Sequence, residues 1–192
     1  SYIPRLLTEN QSPLITNTFN LLPSSSRTTK LETRLVAKLL LHLAELGDAR
    51  LTLETLKNSL EILERAQQTN NSVTIGLFFS NWTPSIPRGN VSDPNFTNFI
   101  VRDLGLFYKR HFDRLSFFRS STEKQQYRNR FLALFRKVAN SPKFQESAVS
   151  SSSIYFTNRV LMKIFDTALL GEILNDANLT LASRSQINSL YC

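Results

Sequence analysis

The segment from Phe107 to Lys137 places aromatic rings and positive charges side by side: FYKRHFDRLSFFRSSTEKQQYRNRFLALFRK. Arginine and lysine are the side chains that bind phosphate, because the guanidinium fork and the ammonium both neutralise its charge. Aromatic rings near such charges can stack on single-stranded bases. The chemistry that this segment predicts is therefore non-covalent contact with a polyanion.

The net charge of +8 is concentrated in one part of the chain. The segment Arg102–Lys143 holds eleven basic and three acidic residues, and the remainder holds twelve of each. We predict that ten of these bases bind nucleic acid: Arg102, Lys109, Arg110, Arg114, Arg119, Lys124, Arg128, Arg130, Arg136 and Lys137. The rings that lie nearest to them on a helical projection, Tyr108, Phe112 and Tyr127, are the candidates for base stacking.

A phosphate-binding face requires cations that are not neutralised within the protein. We therefore expect the outward-pointing bases to be exposed and free of internal ion pairs: Arg110, Arg114, Arg128, Arg130, Arg136 and Lys137. Each phosphate that such a side chain neutralises releases condensed counterions, so binding is expected to weaken steeply with salt.

Residues for catalysis or metal binding are sparse. The two histidines, His42 and His111, are far apart in sequence, and the single cysteine is the last residue, Cys192. No zinc-ligand spacing, phosphate-binding glycine loop or nucleophile elbow occurs. We predict no catalytic residue, no metal site and no cofactor, and the sequence favours a protein that is not an enzyme.

Two helical hairpins are predicted to carry this chemistry. In the first, a capping box from Thr29 to Glu32 precedes a leucine stripe that ends at Gly47, and Thr52 begins the second helix. The basic hairpin spans residues 94–140, with Pro94 at the start of its first helix. A second capping box, Thr122 to Gln125, is predicted to begin its second helix, and the first helix is expected to continue through Phe118.

Less regular segments flank the hairpins. The run from Val73 to Phe79 is predicted to be a short strand or an apolar connection, followed by a loop that Trp82 anchors. After a serine run, an apolar helix carries Val160, Leu161, Ile164, Phe165 and Leu169 toward the core, and a weak last helix lies between Thr180 and Leu190.

The sequence thus predicts an all-α fold of five to six helices in one compact bundle, built from two αα-hairpins plus C-terminal helices. Residues 1–25 are expected to form an extended N-terminal arm and residues 26–192 a single domain. Eight residues are predicted to be buried in its core: Leu39, Leu43, Leu60, Phe99, Leu104, Phe131, Phe135 and Ile164.

These features favour a structural subunit that binds a nucleic-acid backbone within a larger assembly, of the nucleocapsid, coat or ribonucleoprotein type. RNA or single strands are expected more than sequence-specific recognition of duplex DNA, and self-association or other subunits are expected as partners. Two alternatives are a protein-interaction module on an acidic partner and a peripheral membrane protein on anionic lipid. No transmembrane segment is predicted, and the N-terminus does not resemble a secretory signal, which favours the cytoplasm or a particle over secretion.

Overall fold

The structure is a computed structural model that describes residues 13–22, 31–82, 94–146 and 157–189. Most of these residues are helical, and the predicted all-α class is confirmed. The described part contains eight α-helices, not five or six: α1 over residues 13–21, α2 Thr33–Leu46, α3 Leu53–Ala66, α4 Pro94–His111, α5 Ser121–Ala139, α6 Pro142–Gln145, α7 Thr157–Leu174 and α8 Ala177–Ser189. Two strand segments, β1 Leu31–Glu32 and β2 Asn81–Trp82, have two residues each.

Helices α2 and α3 form the first predicted hairpin. At the end of α2, Gly47 has a left-handed φ of 61°, and its amide donates to the carbonyl of Ala44 at 3.2 Å. Before α3, the hydroxyl of Thr52 accepts from the amide of Thr55 at 3.2 Å. Both boundaries depend on local residue types, and both predictions are confirmed.

The start of α2 differs from the prediction. Glu32 precedes the helix with an extended backbone, and its side chain makes no hydrogen bond to the first turn. Leu31 and Glu32 instead pair antiparallel with Trp82 and Asn81. This pairing holds the backbone extended, so the predicted capping box is wrong at Glu32, and Thr29 lies outside the described residues.

The run from Val73 to Phe79 is a connection and not a strand. Residues 72–76 form turns, and Phe78 makes one isolated bridge to Gln67. Leu77 and Phe78 are buried, whereas Val73 and Ile75 are exposed. The anchoring role predicted for the side chain of Trp82 lies outside what the structure describes.

Part of the predicted N-terminal arm is helical. Residues 13–21 form α1, and Ile15 and Leu22 are buried in the core. A proline in the middle of a helix would break it, but Pro13 is the first residue of α1. At that position its missing N–H costs nothing, because the N–H of a first helical residue has no partner within the helix. The prediction of an extended arm is therefore wrong for residues 13–21, and residues 1–12 and 23–25 lie outside the described ranges.

Helix α4 is central and packs against α2, α5 and α7. The ring of Phe107 lies 5.8 Å from that of Phe131 in α5, which fixes the second hairpin. Seven of the eight predicted core residues are buried: Leu39, Leu43, Leu60, Leu104, Phe131, Phe135 and Ile164. The eighth, Phe99, is half-buried and lies beneath the guanidinium of Arg102 at 5.4 Å.

The basic hairpin turns earlier than predicted. Helix α4 ends at His111, a 3₁₀ turn covers Phe112–Arg114, and residues 115–120 are not helical. The cap of α5 is Ser120, whose hydroxyl accepts from the amide of Glu123 at 3.0 Å, while the Glu123 carboxylate accepts from the amide of Arg119 at 2.7 Å. Ser120 and Glu123 have the same spacing as Thr122 and Gln125, and the carboxylate forms the better partner, so the predicted cap at Thr122 is wrong.

The C-terminal helices, α7 and α8, pack on each other. Val160, Ile164 and Leu169 are buried as predicted, but Leu161 and Phe165 are exposed. The spacing places all five residues on one apolar side of α7. It does not show how much of that side a neighbouring helix covers. The inward placement predicted for Leu161 and Phe165 is wrong.

Candidate nucleic-acid interface

The ten predicted nucleic-acid contacts divide into five ion-paired residues, four unpaired residues and Lys124, which is hydrogen-bonded to a backbone carbonyl. Five of the ten lie within ion-pair distance of a carboxylate: Arg102 with Asp103, Lys109 with Glu172, Arg110 with Glu45, Arg128 with Asp113 and Arg130 with Glu64. The expectation that Arg110, Arg128 and Arg130 are free of internal ion pairs is therefore wrong.

Arg130 makes a two-pronged contact with Glu64. Its Nε and Nη2 donate to the two carboxylate oxygens at 2.8 and 2.9 Å, and its guanidinium lies 5.2 Å from the centre of the Tyr127 ring. The hydrogen bonds to Glu64 raise the pKa of Arg130 above its ordinary value. This contact ties α5 to α3 and uses two of the five guanidinium N–H groups.

Arg128 is held on the opposite edge of α5. Its Nη2 donates to the Asp113 carboxylate, and its Nη1 donates to the hydroxyl of Tyr108 at 3.4 Å. The bond to Asp113 raises the pKa of Arg128. Lys124, one turn earlier, donates to the backbone carbonyl of Asp113 at 2.6 Å. Both side chains therefore brace the 3₁₀ turn against α5.

Several of the pairing carboxylates come from other parts of the chain. Glu45 of α2, Glu64 of α3, Glu172 of α7 and Glu146 each pair with a base of the segment Arg102–Lys143. Together with the three acids of the segment itself, seven carboxylates accompany eleven bases, so the local excess of positive charge falls from eight to four. Charge that is segregated along the sequence is partly mixed in space.

Four of the predicted contacts remain unpaired. The side chains of Arg114, Arg119, Arg136 and Lys137 are exposed, and none makes an ion pair or hydrogen bond to another described residue. Arg114 and Arg119 lie in the connection before α5, and Arg136 and Lys137 lie in its last turn.

Between these positions α5 exposes a polar surface, which we call the α5 face. It consists of Gln125, Gln126, Asn129, Ala133, Arg136, Lys137 and Asn140, all exposed. At 100° per residue these positions fall within about 120° of the helix circumference, along a helix about 28 Å long. Arg128 and Arg130 border this arc, and no residue of the α5 face is acidic. The surface therefore offers amide groups and unpaired cations together.

The amide part of the α5 face was not predicted from the sequence. Its signal was present, since Gln125, Asn129, Arg136 and Asn140 recur at intervals that keep one face of a helix. Asn129 accepts a hydrogen bond from Gln125 at 2.9 Å, which orders both side chains. A prediction that rests on charge gives no weight to uncharged residues.

Two of the three candidate stacking rings are buried. Phe112 is fully buried and Tyr127 is nearly so. Tyr108 is half-buried and packs against Phe112 with ring centroids 5.3 Å apart, and against Phe131 at 5.5 Å. The 3₁₀ turn bends Phe112 into the core instead of continuing the helix that placed it at the boundary. Stacking by Phe112 and Tyr127 is therefore excluded, and stacking by the partly exposed Tyr108 stays a prediction.

The described residues form neither a metal-binding cluster nor a membrane span. Within those ranges, no group of three or more histidine, cysteine, aspartate or glutamate side chains is arranged to hold a metal ion, and no helix is long and apolar enough to cross a bilayer. Burial lowers the pKa of His42, and the Nε2 atom of His111 lies 3.1 Å from the Glu45 carboxylate. His42 is therefore packed in the core, and His111 contacts α2 through Glu45.

No protein family, curated protein or solved structure matches this chain.

Proposed function

We propose that this chain is a non-enzymatic subunit of a larger assembly, of the nucleocapsid, coat or ribonucleoprotein type, and that it binds the backbone of RNA or single-stranded DNA. The observation that carries the proposal is the α5 face, a surface about 22 Å long that displays unpaired cations and amides without a carboxylate. Arg114 and Arg119, in the connection before α5, are two further exposed cations.

Phosphate is the ligand that fits this combination best. Arg136 and Lys137 supply charge to phosphate oxygens, and amide N–H groups such as those of Gln126 and Asn140 can donate to phosphate or sugar oxygens. With Phe112 and Tyr127 buried, base stacking by these two rings contributes nothing. Binding is therefore expected to depend on the backbone and to differ little between sequences.

The assembly part of the proposal is supported by apolar side chains that the chain leaves uncovered. On α7 and α8, four are strongly exposed: Leu161 at 53%, Phe165 at 45%, Leu181 at 60% and Ile187 at 41%. Helix α8 has extensive contacts with α7 alone among the described elements. Contiguous apolar patches are typical of surfaces that associate, and Leu161 and Phe165 lie one turn apart on α7.

The test compares the double variant Arg136→Ala/Lys137→Ala with Lys57→Ala, which removes an exposed lysine of α3 away from the α5 face. Affinity for labelled single-stranded RNA and DNA of two sequences is measured by fluorescence anisotropy at several salt concentrations. The double variant is expected to bind all probes more weakly and to lower the log–log salt slope by about 0.7 for each phosphate that is no longer neutralised. Lys57→Ala is expected to match the wild type.

Two results would contradict parts of the proposal. If wild-type protein binds neither probe at low salt, nucleic-acid binding is wrong. If the double variant binds as the wild type does, the α5 face is not the contact. Flotation with vesicles that contain anionic lipid, and binding to an acidic polypeptide such as polyglutamate, then test the membrane and protein alternatives on the same variants.

A further inference from the structure

A second basic site lies on the other side of α4, where α1, α2 and α4 meet. A cavity of about 170 Å³ opens there, and Arg34 and Lys38 of α2 and Arg102 of α4 line it together with Asp103. Arg34 and Lys38 are four residues apart, so they lie one above the other on α2. Helix α4 packs along this side of α2 and brings Arg102 opposite them. Three cations from two helices thus converge on one cavity.

Aromatic rings hold the two guanidinium groups of this cavity in place. The guanidinium of Arg102 lies 5.4 Å from the centre of the Phe99 ring, and that of Arg34 lies 5.8 Å from the centre of the Phe96 ring. A ring that covers the face of a guanidinium leaves its N–H edge available, which is the edge that binds oxyanions. The two groups are therefore orientated before a ligand arrives.

The cavity keeps a positive balance after its internal pairs are counted. The Nε of Arg102 donates to Asp103 at 3.0 Å, and Arg34 lies 3.5 Å from Glu32 in a contact where both side chains are about half exposed. For the ammonium of Lys38, no carboxylate lies within ion-pair distance in the described part of the chain. Its charge contributes to the lowered pKa of His42 one turn later, although burial is the larger cause. Lys38 therefore remains as an uncompensated charge.

We propose that this cavity binds a single phosphoryl group. A volume of about 170 Å³ is roughly ten times the 10–15 Å³ that one water needs, so a tetrahedral oxyanion fits with water to spare. The Arg102 and Arg34 forks bind its oxygens, and Lys38 supplies the balancing point charge. Leu14, Leu35 and Phe99 form the remaining wall and keep part of the site away from bulk water. The group can be carried by a nucleic-acid backbone or by a small phosphorylated molecule.

The cavity is separate from the α5 face and does not depend on the function proposed for it. Only Arg102 belongs to the ten predicted nucleic-acid contacts, and Arg34 and Lys38 lie in the part of the chain whose charge is balanced. No sequence pattern joins the three residues, because they meet only through the packing of α4 on α2.

Inorganic phosphate is the first probe. Binding to the full chain is measured by isothermal calorimetry and by ³¹P line broadening, with chloride used to keep ionic strength constant. Wild-type protein is expected to bind phosphate saturably at one site. Lys38→Gln is expected to weaken it about tenfold, Lys38→Arg to retain it, and Lys57→Gln to leave it unchanged. Because the Lys38 side chain is partly exposed, both of its variants are expected to fold.

Two further arms identify the source of the phosphoryl group. The Arg136→Ala/Lys137→Ala variant, which alters only the α5 face, is expected to bind phosphate as the wild type does. If a short oligonucleotide displaces phosphate, the group belongs to a nucleic-acid backbone, and if only small phosphorylated molecules displace it, the ligand is one of these. Absence of saturable phosphate binding, or equal binding by Lys38→Gln, overturns the proposal.

Discussion

Gly76 has a φ of 87°, and the backbone of Lys137 passes directly beside it. A Cβ at this position would lie 2.0 Å from the carbonyl oxygen of Lys137 and 2.7 Å from its carbonyl carbon. Since both are backbone atoms in the last turn of α5, neither can move aside as a side chain would. We expect Gly76→Ala to lower the free energy of unfolding by about 3 kcal/mol or more, as measured by urea denaturation.

The matched control for this substitution is Gly47. Its φ of 61° carries the same backbone preference for glycine, but no atom lies within 4 Å of a Cβ placed there. Gly47→Ala is expected to lower the free energy of unfolding by only about 1–2 kcal/mol, from left-handed strain alone. Equal losses in the two variants would show that the connection before Phe78 does not pack against α5 as described.

Lys163 and Asp166 are ionisable residues buried on α7. Burial raises the pKa of Asp166 to about 8, and among the described residues neither of its carboxylate oxygens has a hydrogen-bond partner. Burial also lowers the pKa of Lys163 to about 7. The ammonium of Lys163 lies 3.3 Å from the centre of the Phe144 ring. Arg102 and Asp103 of α4 and the Glu146 carboxylate supply the remaining charge around the pair.

These two pKa shifts predict a stability minimum near pH 7–8. The folded chain keeps a proton on Asp166 that the unfolded chain releases above about pH 4, so stability falls as pH rises from there toward 8. The unfolded chain keeps a proton on Lys163 up to its ordinary pKa of 10.5, so stability rises again above about pH 7. Each limb has a slope of about 1.4 kcal/mol per pH unit for one proton.

Two variants separate these limbs. Asp166→Asn is expected to remove most of the fall between pH 5 and 7, and Lys163→Met is expected to remove the rise between pH 8 and 10, each relative to the wild type in urea denaturation. The difference between wild type and variant isolates the one group from others that titrate in the same range. An Asp166→Asn variant with the wild-type slope would show that Asp166 is ionised in the folded protein.

At the scale of elements, Arg130 is a structural contact and Arg136 is a candidate ligand contact. Arg130 joins α5 to Glu64 of α3, whereas Arg136, six residues later, is exposed in the last turn of α5. Arg130→Ala is expected to lower the free energy of unfolding by about 1–2 kcal/mol, because Glu64 is left half-buried without its partner. Its affinity for single-stranded RNA is expected to stay near that of the wild type.

Arg136→Ala is expected to behave in the opposite way, with unchanged stability and weaker binding. Urea denaturation measures the stability of each variant, and fluorescence anisotropy measures its affinity for RNA. Together they show which arginine stabilises the fold and which one contacts the ligand. A loss of RNA affinity in Arg130→Ala at least as large as in Arg136→Ala would mean that the Glu64 pair opens when nucleic acid binds.

The elements also show which features a sequence reveals. Gly47 and Thr52 act within a few residues of themselves, and Tyr127, Phe131 and Leu134 repeat at helical intervals, so both the hairpin boundaries and the inner side of α5 were predictable. The pair of Arg130 with Glu64 was not, since the two residues are 66 positions apart. Periodicity tells on which side of its own helix a residue lies, but not which element faces that side.

The same limit applies to the charge of the whole molecule. The sequence predicts an excess of eight positive charges in the segment Arg102–Lys143, but Glu45, Glu64, Glu146 and Glu172 reduce it to four in the folded chain. The net charge of +8 is unchanged, so attraction of a polyanion at long range is retained and is spread over more of the surface. Arg34 and Lys38 are part of that wider distribution.

The exposed apolar residues of α7 and α8 predict that the whole molecule associates. Leu161 and Phe165 are one turn apart on α7, and burying their side chains against a partner stabilises a complex by about 25 cal/mol for each Å² of apolar surface covered. The double variant Leu161→Ser/Phe165→Ser is expected to shift the protein toward monomer in sedimentation velocity experiments over a range of concentrations, with or without RNA. Because both side chains are already exposed, its free energy of unfolding is expected to stay close to that of the wild type.

Val73→Ser, which replaces an equally exposed apolar residue in the connection after α3, controls for a general change in solubility. It is expected to leave the sedimentation profile unchanged, since Val73 belongs to neither α7 nor α8 but lies beside the start of α6, where its carbonyl accepts from the amide of Lys143 at 3.3 Å. Wild-type protein that sediments as a monomer at every concentration, alone and with RNA, would contradict the assembly part of the proposal. RNA binding by the α5 face in that monomer would then identify the chain as a nucleic-acid-binding protein that acts without self-association.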